Sequence, residues 1–263
     1  GSGWACVFSD FDGDADADIY VANDFGQNPS APNNTLYQYD HQADTFLNIG
    51  ATSGVDVGFN AMGIAVGDFD EDGQLDYYIT NISENYLFRN NGNGTLIDHA
   101  DSAGVMNTGW DFPHGFVSSV GWGANFLDYD HDTYLDLFVC NGSMNPLLGI
   151  GSTIDTTYNP DALFRNNGDG TFTDVAPAFG LNNGLRGRGS IIFDYDNDGD
   201  QDILVVVQIN YNGYVTPDTP RVLLYRNEQN TNNWLKVSLV GTINNRDGIG
   251  ARVRVTRGGR SFI

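Results

Sequence analysis

The sequence predicts an all-β fold, a β-propeller built from four-stranded antiparallel blades with calcium loops, followed by the start of a small β domain. Three observations carry this. An acidic cassette returns four times, short apolar strands flank every copy, and no segment keeps a helical period for three turns.

The first cassette holds Asp10, Asp12, Asp14, Asp16 and Asp18, and the second Asp68, Asp70, Asp72, Gln74 and Asp76. The third holds Asp128, Asp130, Asp132, Tyr134 and Asp136, and the fourth Asp194, Asp196, Asp198, Asp200 and Asp202. Carboxylates at positions 1, 3, 5 and 9 of a tight turn, with the position 7 carbonyl between them, make the oxygen-only shell that a hard cation such as Ca²⁺ prefers. Like charges at alternate positions repel, and a divalent ion relieves that repulsion. The expected cofactor is therefore Ca²⁺, up to four ions, and the expected role is a staple between strands. An EF-hand begins with the same spacing but needs a bidentate Glu at position 12, where Val21, Ile79, Val139 and Val205 stand. The nonapeptide repeats of calcium β-rolls are absent.

Before each cassette runs a strand of small and apolar residues: Trp4–Phe8, Met62–Val66, Gly121–Phe126 and Gly189–Phe193. After each comes another: Ile19–Ala22, Tyr77–Thr80, Leu137–Cys140 and Ile203–Val207. A third element follows at Asn34–Tyr37, Asn85–Arg89, Ala162–Arg165 and Val222–Arg226. Twice it leads through an Asn/Gly turn into a fourth strand, at Thr95-Leu96 and at Thr171–Thr173, because Asn and Gly accept the positive φ of tight hairpins. Four short strands per unit read as one antiparallel blade. The blades divide near 3–60, 61–118, 119–185 and 186–230, with a separate segment over 231–263.

The formal charge is −22, and 19 of the 34 acids sit in the cassettes. This argues against nucleic acid, which needs a basic face. No run is long and apolar enough for a membrane span, and the start Gly1-Ser2-Gly3 reads as a mature chain or a fragment. Ten of the twelve bases fall from Arg186 onward, which hints at a self-complementary assembly or a different C-terminal module. Cys6 and Cys140 form no zinc pattern and are expected as buried free thiols.

Strand, D-x-D-x-D-G-x-x-D loop, strand, then L-F-R-N-N-G-x-G-T-F resembles the FG-GAP or VCBS-type repeats of calcium-binding propellers over most of residues 3–230. Asn233–Gly241 with Asn245–Val253 is similar to the start of the ASPIC/UnbV domain, which in secreted relatives follows such propellers. Ala15 and Thr133 depart from the pattern, which has Gly at position 6, so loops 1 and 3 are expected to be the weaker sites. Family propellers usually close with seven blades, and four are visible.

No H-E-x-x-H, G-x-S-x-G or phosphate loop occurs among these residues, and the cassette acids are committed to metal, so the expectation is a non-enzymatic module. His131, at cassette position 4, is expected to point to water. The aromatic insertion Met106–Phe116 is a candidate carbohydrate or protein contact, or self-packing over a blade edge. Four N-x-S/T sequons, at Asn33, Asn81, Asn93 and Asn141, carry little weight in an Asn-rich chain. The function expected is extracellular adhesion, matrix or surface assembly with a protein or glycan partner, since such loops fill at millimolar calcium. A scaffold or accessory domain of a secreted polysaccharide-acting enzyme, or a subunit of a homopolymer that self-associates, are the alternatives.

Overall fold

The structure, a computed structural model, describes residues 3–26, 28, 30–112, 115–142, 159–182, 184–208, 222–228, 232–242, 245–248, 250–257 and 260–262. Blade 1 comprises β1 (Gly3–Ser9), β2 (Asp18–Asn23), β3 (Thr35–Asp40) and β4 (Thr45–Asn48), and blade 2 comprises β5 (Ile64–Gly67), β6 (Asp76–Ile79), β7 (Tyr86–Asn90) and β8 (Leu96–Asp98). A separate hairpin, β9 (Gly109–Phe112) with β10 (Gly115–Ser118), precedes blade 3, which is β11 (Gly121–Leu127), β12 (Asp136–Asn141), β13 (Ala162–Asn166) and β14 (Phe172–Asp174). Blade 4 shows three strands among the described residues, β15 (Gly187–Phe193), β16 (Asp202–Val207) and β17 (Val222–Tyr225). Every pairing is antiparallel between chain neighbours, as in a meander.

The blades stack face to face, and β5 packs against both β1 and β11 while β11 packs against β15, which places the first strands innermost. Their approach is close enough to require glycine. A Cβ on Gly63 would lie 1.9 Å from the Trp122 carbonyl, and one on Gly123 would lie 2.8 Å from the Ser190 nitrogen. Period-2 alternation then sends successive side chains to opposite neighbours. Tyr77 and Ile79 join Tyr20 and Leu36 in the core between blades 1 and 2, whereas Tyr78 joins Leu137, Val139 and Phe164 between blades 2 and 3. Phe138 and Cys140 meet Ile203 and Val205 between blades 3 and 4. Each such fully buried large side chain is worth about 1.5–3 kcal/mol of transfer free energy, so the cores lie between blades rather than inside one. Blades 1 and 4 each keep one open face, with Trp4 and Phe8 exposed on the first and Ile191, Phe193, Val206 and Leu224 on the fourth.

Several details differ from the sequence reading. Blade 1 has a fourth strand, β4, although its turn lacks glycine; Asp44 takes the positive φ (50°) there instead, and Asp40 accepts the Gln42 and Ala43 N–H groups. One-turn helices follow the fourth strands: α1 (Gly50–Ser53), α2 (Ala100–Ala103) and α3 (Ala176–Phe179), each ended by a left-handed glycine. Cys140 is buried but Cys6 is exposed, because its position on β1 faces outward from blade 1; both are free. The aromatic insertion forms the β9–β10 hairpin, while the side chains of 110–117 lie outside the described residues. Residues 232–242 form no strand, and beyond them the described residues pair only in β18 (Val255–Arg257) with β19 (Arg260–Phe262).

Candidate metal centres

Each cassette is the turn from a blade's first strand to its second, so stacking the blades brings four acidic loops to one end of the molecule. The chain must reverse within a few residues, and two left-handed positions per loop do this. Position 4 is Gly13, Glu71, His131 and Asn197 (φ 78°, 59°, 55° and 61°), and position 6 is Ala15, Gly73, Thr133 and Gly199 (φ 74°, 88°, 84° and 96°). Thr133, β-branched at positive φ, carries a real strain.

The position 9 aspartates, Asp18, Asp76, Asp136 and Asp202, are buried and tie the loop to the blade. One oxygen of each accepts the N–H of position 2 (Phe11, Phe69, Tyr129, Tyr195), and the other accepts an N–H from the end of the third strand (Tyr39, Asn90, Asn166, Asn227), at 2.8–3.1 Å. The position 5 carboxylates, Asp14, Asp72, Asp132 and Asp198, accept the N–H of position 7, which is Asp16, Gln74, Tyr134 or Asp200, at 2.9–3.0 Å.

Positions 1, 3 and 9 converge. In every loop they bring one carboxylate oxygen each within 4.8 Å of one another, in the groups Asp10-Asp12-Asp18, Asp68-Asp70-Asp76, Asp128-Asp130-Asp136 and Asp194-Asp196-Asp202. These four clusters could each hold a metal ion. Position 5 stands outside the trios, and at position 7 the expected donor is a backbone carbonyl, so those residues are not brought into them by their side chains. Asp10, Asp68, Asp130 and Asp194 each keep a buried Oδ1 with no hydrogen-bond partner. A buried unpaired carboxylate oxygen costs about 1–3 kcal/mol or more, a cost that an oxygen-seeking cation removes.

Burial pushes several of the cassette acids at positions 1 and 9 up. The carboxyls of Asp18, Asp68 and Asp128 rise to about 6, and those of the more enclosed Asp76 and Asp136 to about 8; in each case burial outweighs the backbone N–H bonds that oppose it.

Two features escaped the sequence reading. An arginine on the third strand, or directly after it in blade 4, leans over three loops: Arg89 on Asp70 and Asp72, Arg165 on Asp130 and Asp132, and Arg226 on Asp196 and Asp198. In loop 1 the corresponding residue is Gln38, which donates to Asp12. The asparagine after each arginine staples its blade to the preceding one, since Asn90 donates to the Phe11 carbonyl, Asn166 to that of Phe69 and Asn227 to that of Tyr129, at 2.7–2.9 Å. The signal was the R-N pair itself, present in three units and replaced by Gln38-Tyr39 in the first. His131 corrects an expectation too. Its side chain is 8% exposed, with Nε2 3.8 Å from Asp200 of loop 4, because blade stacking closes the space that an isolated loop would leave to water. The C-terminal segment also reaches this end, where Lys236 stands 4.0 Å from Asp194 and Trp234 lies over the turn, so that a Cβ on Gly199 would sit 2.0 Å from its ring.

Stacked antiparallel blades with an acidic loop at the same turn of each define a β-propeller-type repeat protein with four candidate metal centres. A family model for FG-GAP-like repeats matches residues 10–79 and 148–205, just under half of the chain. It is similar to cartilage acidic protein 1 of Mus musculus and of Homo sapiens, at 24% identity over 89% of this chain and 42% and 40% of those proteins. The Xenopus tropicalis protein of that name is 25% identical over 78% of this chain and 32% of its own. The chain thus spans about two-fifths or less of the length of these curated relatives. Among solved structures, BBS1N in complex with ARL6DN aligns with a TM-score of 0.46 at 9% identity, covering 79% of this chain and 51% of that one. An Agrocybe aegerita lectin that recognises non-reducing terminal N-acetylglucosamine aligns with a TM-score of 0.37 at 17% identity, covering 84% and 52%. Among the described residues no helix is long and apolar enough to cross a membrane.

Proposed function

We propose that this chain is an extracellular, non-enzymatic calcium-binding propeller module that serves adhesion, matrix or surface assembly. The observation that carries the reading is the fourfold recurrence of a carboxylate trio in which a buried aspartate oxygen lacks a partner. The residues fit Ca²⁺: the converging donors are oxygens only, with no His or Cys among them. Calcium, when bound, supplies positive charge that lets these acids stay ionised together. The chain's own part is to present Asp10, Asp68, Asp128 and Asp194 at position 1, Asp12, Asp70, Asp130 and Asp196 at position 3, and the doubly hydrogen-bonded position 9 aspartate. Loops of this kind fill where calcium is near millimolar, which favours the extracellular compartment, and the likeness to cartilage acidic protein 1 fits a matrix setting.

Calorimetric titration of the chelated chain should find up to four calcium sites. If each contributes about 1–3 kcal/mol by mass action, calcium raises the melting temperature by tens of degrees over the chelated form. A melting curve indifferent to EDTA would overturn the structural-calcium reading. The open apolar faces of blades 1 and 4 favour a protein partner or self-association, and light scattering in calcium would show oligomers; a stable monomer that turns over a glycan would favour the polysaccharide-enzyme reading instead.

A further inference from the structure

We infer that the residue on the third strand, or directly after it, at positions 38, 89, 165 and 226 acts as a built-in counter-charge that sets how far each loop depends on its metal ion. The inference rests on the calcium reading for its binding arm alone. Loop 1 carries five aspartates, and the residue that leans on its position 3 carboxylate is neutral Gln38. Among the described residues its basic neighbours are the exposed His41, 3.2 Å from Asp16 at position 7, and Arg252, whose guanidinium would lie 3.8 Å from a Cβ on Gly13 at position 4; neither forms an ion pair with the converging trio. Loops 2 and 3 each carry one guanidinium spanning positions 3 and 5. In loop 3 the division of labour is visible within one carboxylate, since Asp130 Oδ2 accepts the Arg165 Nε–H at 3.0 Å while its Oδ1 remains buried and unpartnered. The arginine therefore binds the outer oxygen and leaves the inner one for an ion. Loop 4 has the most, with Arg226 on Asp196 and Asp198 and Lys236 4.0 Å from Asp194.

The consequence follows from simple electrostatics. With the ion removed, an arginine offsets part of the repulsion among three or four clustered carboxylates, and Gln38 cannot. With the ion in place, the arginine and the ion are like charges a few ångströms apart, and part of that help is lost. A loop with arginine should be better held without calcium and bind calcium less tightly, and a loop with glutamine the reverse. Arginine here is a positioning and charge-balancing residue, since its guanidinium donates to carboxylates and offers no lone pair to a metal.

The test exchanges the two residues in the whole chain, with Arg89→Gln and Gln38→Arg. In EDTA, Gln38→Arg should melt above the parent and Arg89→Gln below it, which needs no metal and decides the counter-charge role whether or not the calcium reading survives. In calorimetry with CaCl₂, Arg89→Gln should tighten one site by about two- to fivefold, and Gln38→Arg should weaken one by a similar factor, the range expected of partly exposed ion pairs. Arg89→Lys keeps the charge and should stay near the parent in both measurements. A weaker site in Arg89→Gln would mean that the arginine holds ligands in place for the ion, and unchanged melting of both exchange variants in EDTA would mean that it balances no charge; either result overturns the inference.

Discussion

Blades 1 and 2 carry cassettes that align residue for residue, yet one is open on a face and the other is enclosed on both. All four residues of β6 are buried, whereas β1 sets Trp4, Cys6 and Phe8 outward. The same position 9 aspartate consequently meets two environments, and burial lifts Asp76 to about 8 but Asp18 only to about 6. A loop motif fixes which atoms converge; the neighbouring blade fixes the medium in which they do so.

Removing the position 9 carboxylate should break the enclosed blade first. Asp76→Ala leaves the N–H groups of Phe69 and Asn90 without their acceptor inside an interface, for a loss of about 2–5 kcal/mol. Asp18→Ala strands the buried N–H of Phe11 and the part-buried N–H of Tyr39, where water replaces part of the second lost acceptor, and should cost less. Urea unfolding in EDTA measures both, and equal losses would mean that enclosure by a second blade contributes nothing.

Titration sharpens the same contrast. A carboxyl raised in the folded state binds its proton more tightly there than in the unfolded chain, so its contribution is present at low pH and disappears as pH rises through the folded value. In EDTA the melting temperature should therefore increase as pH falls from about 8.5 toward 5, with Asp76 and Asp136 responsible for the part near 8 and Asp18, Asp68 and Asp128 for the part near 6. Saturating calcium should flatten or reverse the trend, since the metal needs the ionised acids. Melting that falls steadily with acid in EDTA would show that these carboxyls are not raised by burial.

The blade staples give a smaller effect of the same kind. Asn166→Ala removes the bond to Phe69 between two enclosed blades and should cost about 1–3 kcal/mol. Asn227→Ala cuts the corresponding bond to Tyr129 at the half-open fourth blade and should cost less, by thermal unfolding of each variant in calcium.

Much of this architecture was legible in the residues because it rests on local chemistry. Alternating aspartates mark the loops, β-branched and aromatic residues mark the strands, and N-G turns mark β7–β8 and β13–β14. β4 was missed because Asp44 does in its hairpin what Gly does elsewhere, and the one-turn helices because four residues leave no helical period. Their recurring clue was the glycine before an apolar residue, at Gly54-Val55, Gly104-Val105 and Gly180-Leu181. The arginine and asparagine roles were out of reach for another reason. Arg89 meets Asp70 across a strand pair, and Asn166 meets Phe69 across a blade boundary 97 residues away in the chain, so only the stacked fold brings the partners together. The exposure of Cys6 and the burial of His131 depend on the same stacking.

Position 6 offers the finest test, and it separates strain in the fold from strength of the site. Ala15 and Thr133 hold left-handed backbone where Gly73 and Gly199 stand in loops 2 and 4, and because that φ reverses the chain between two paired strands, forming the hairpin itself requires the strain. On that argument the turn residue lowers the stability of loops 1 and 3 without lowering their affinity, and the charge set by Gln38 or an arginine governs affinity instead. Thr133→Gly should then stabilise the chain by about 1 kcal/mol, the cost of a β-branched residue at positive φ less the entropy that glycine adds to the unfolded state. The gain should be the same in EDTA and in calcium, with the calorimetric affinity of every site unchanged. A gain seen in calcium alone would place the strain in the bound loop and support the sequence expectation that loops 1 and 3 are the weaker sites.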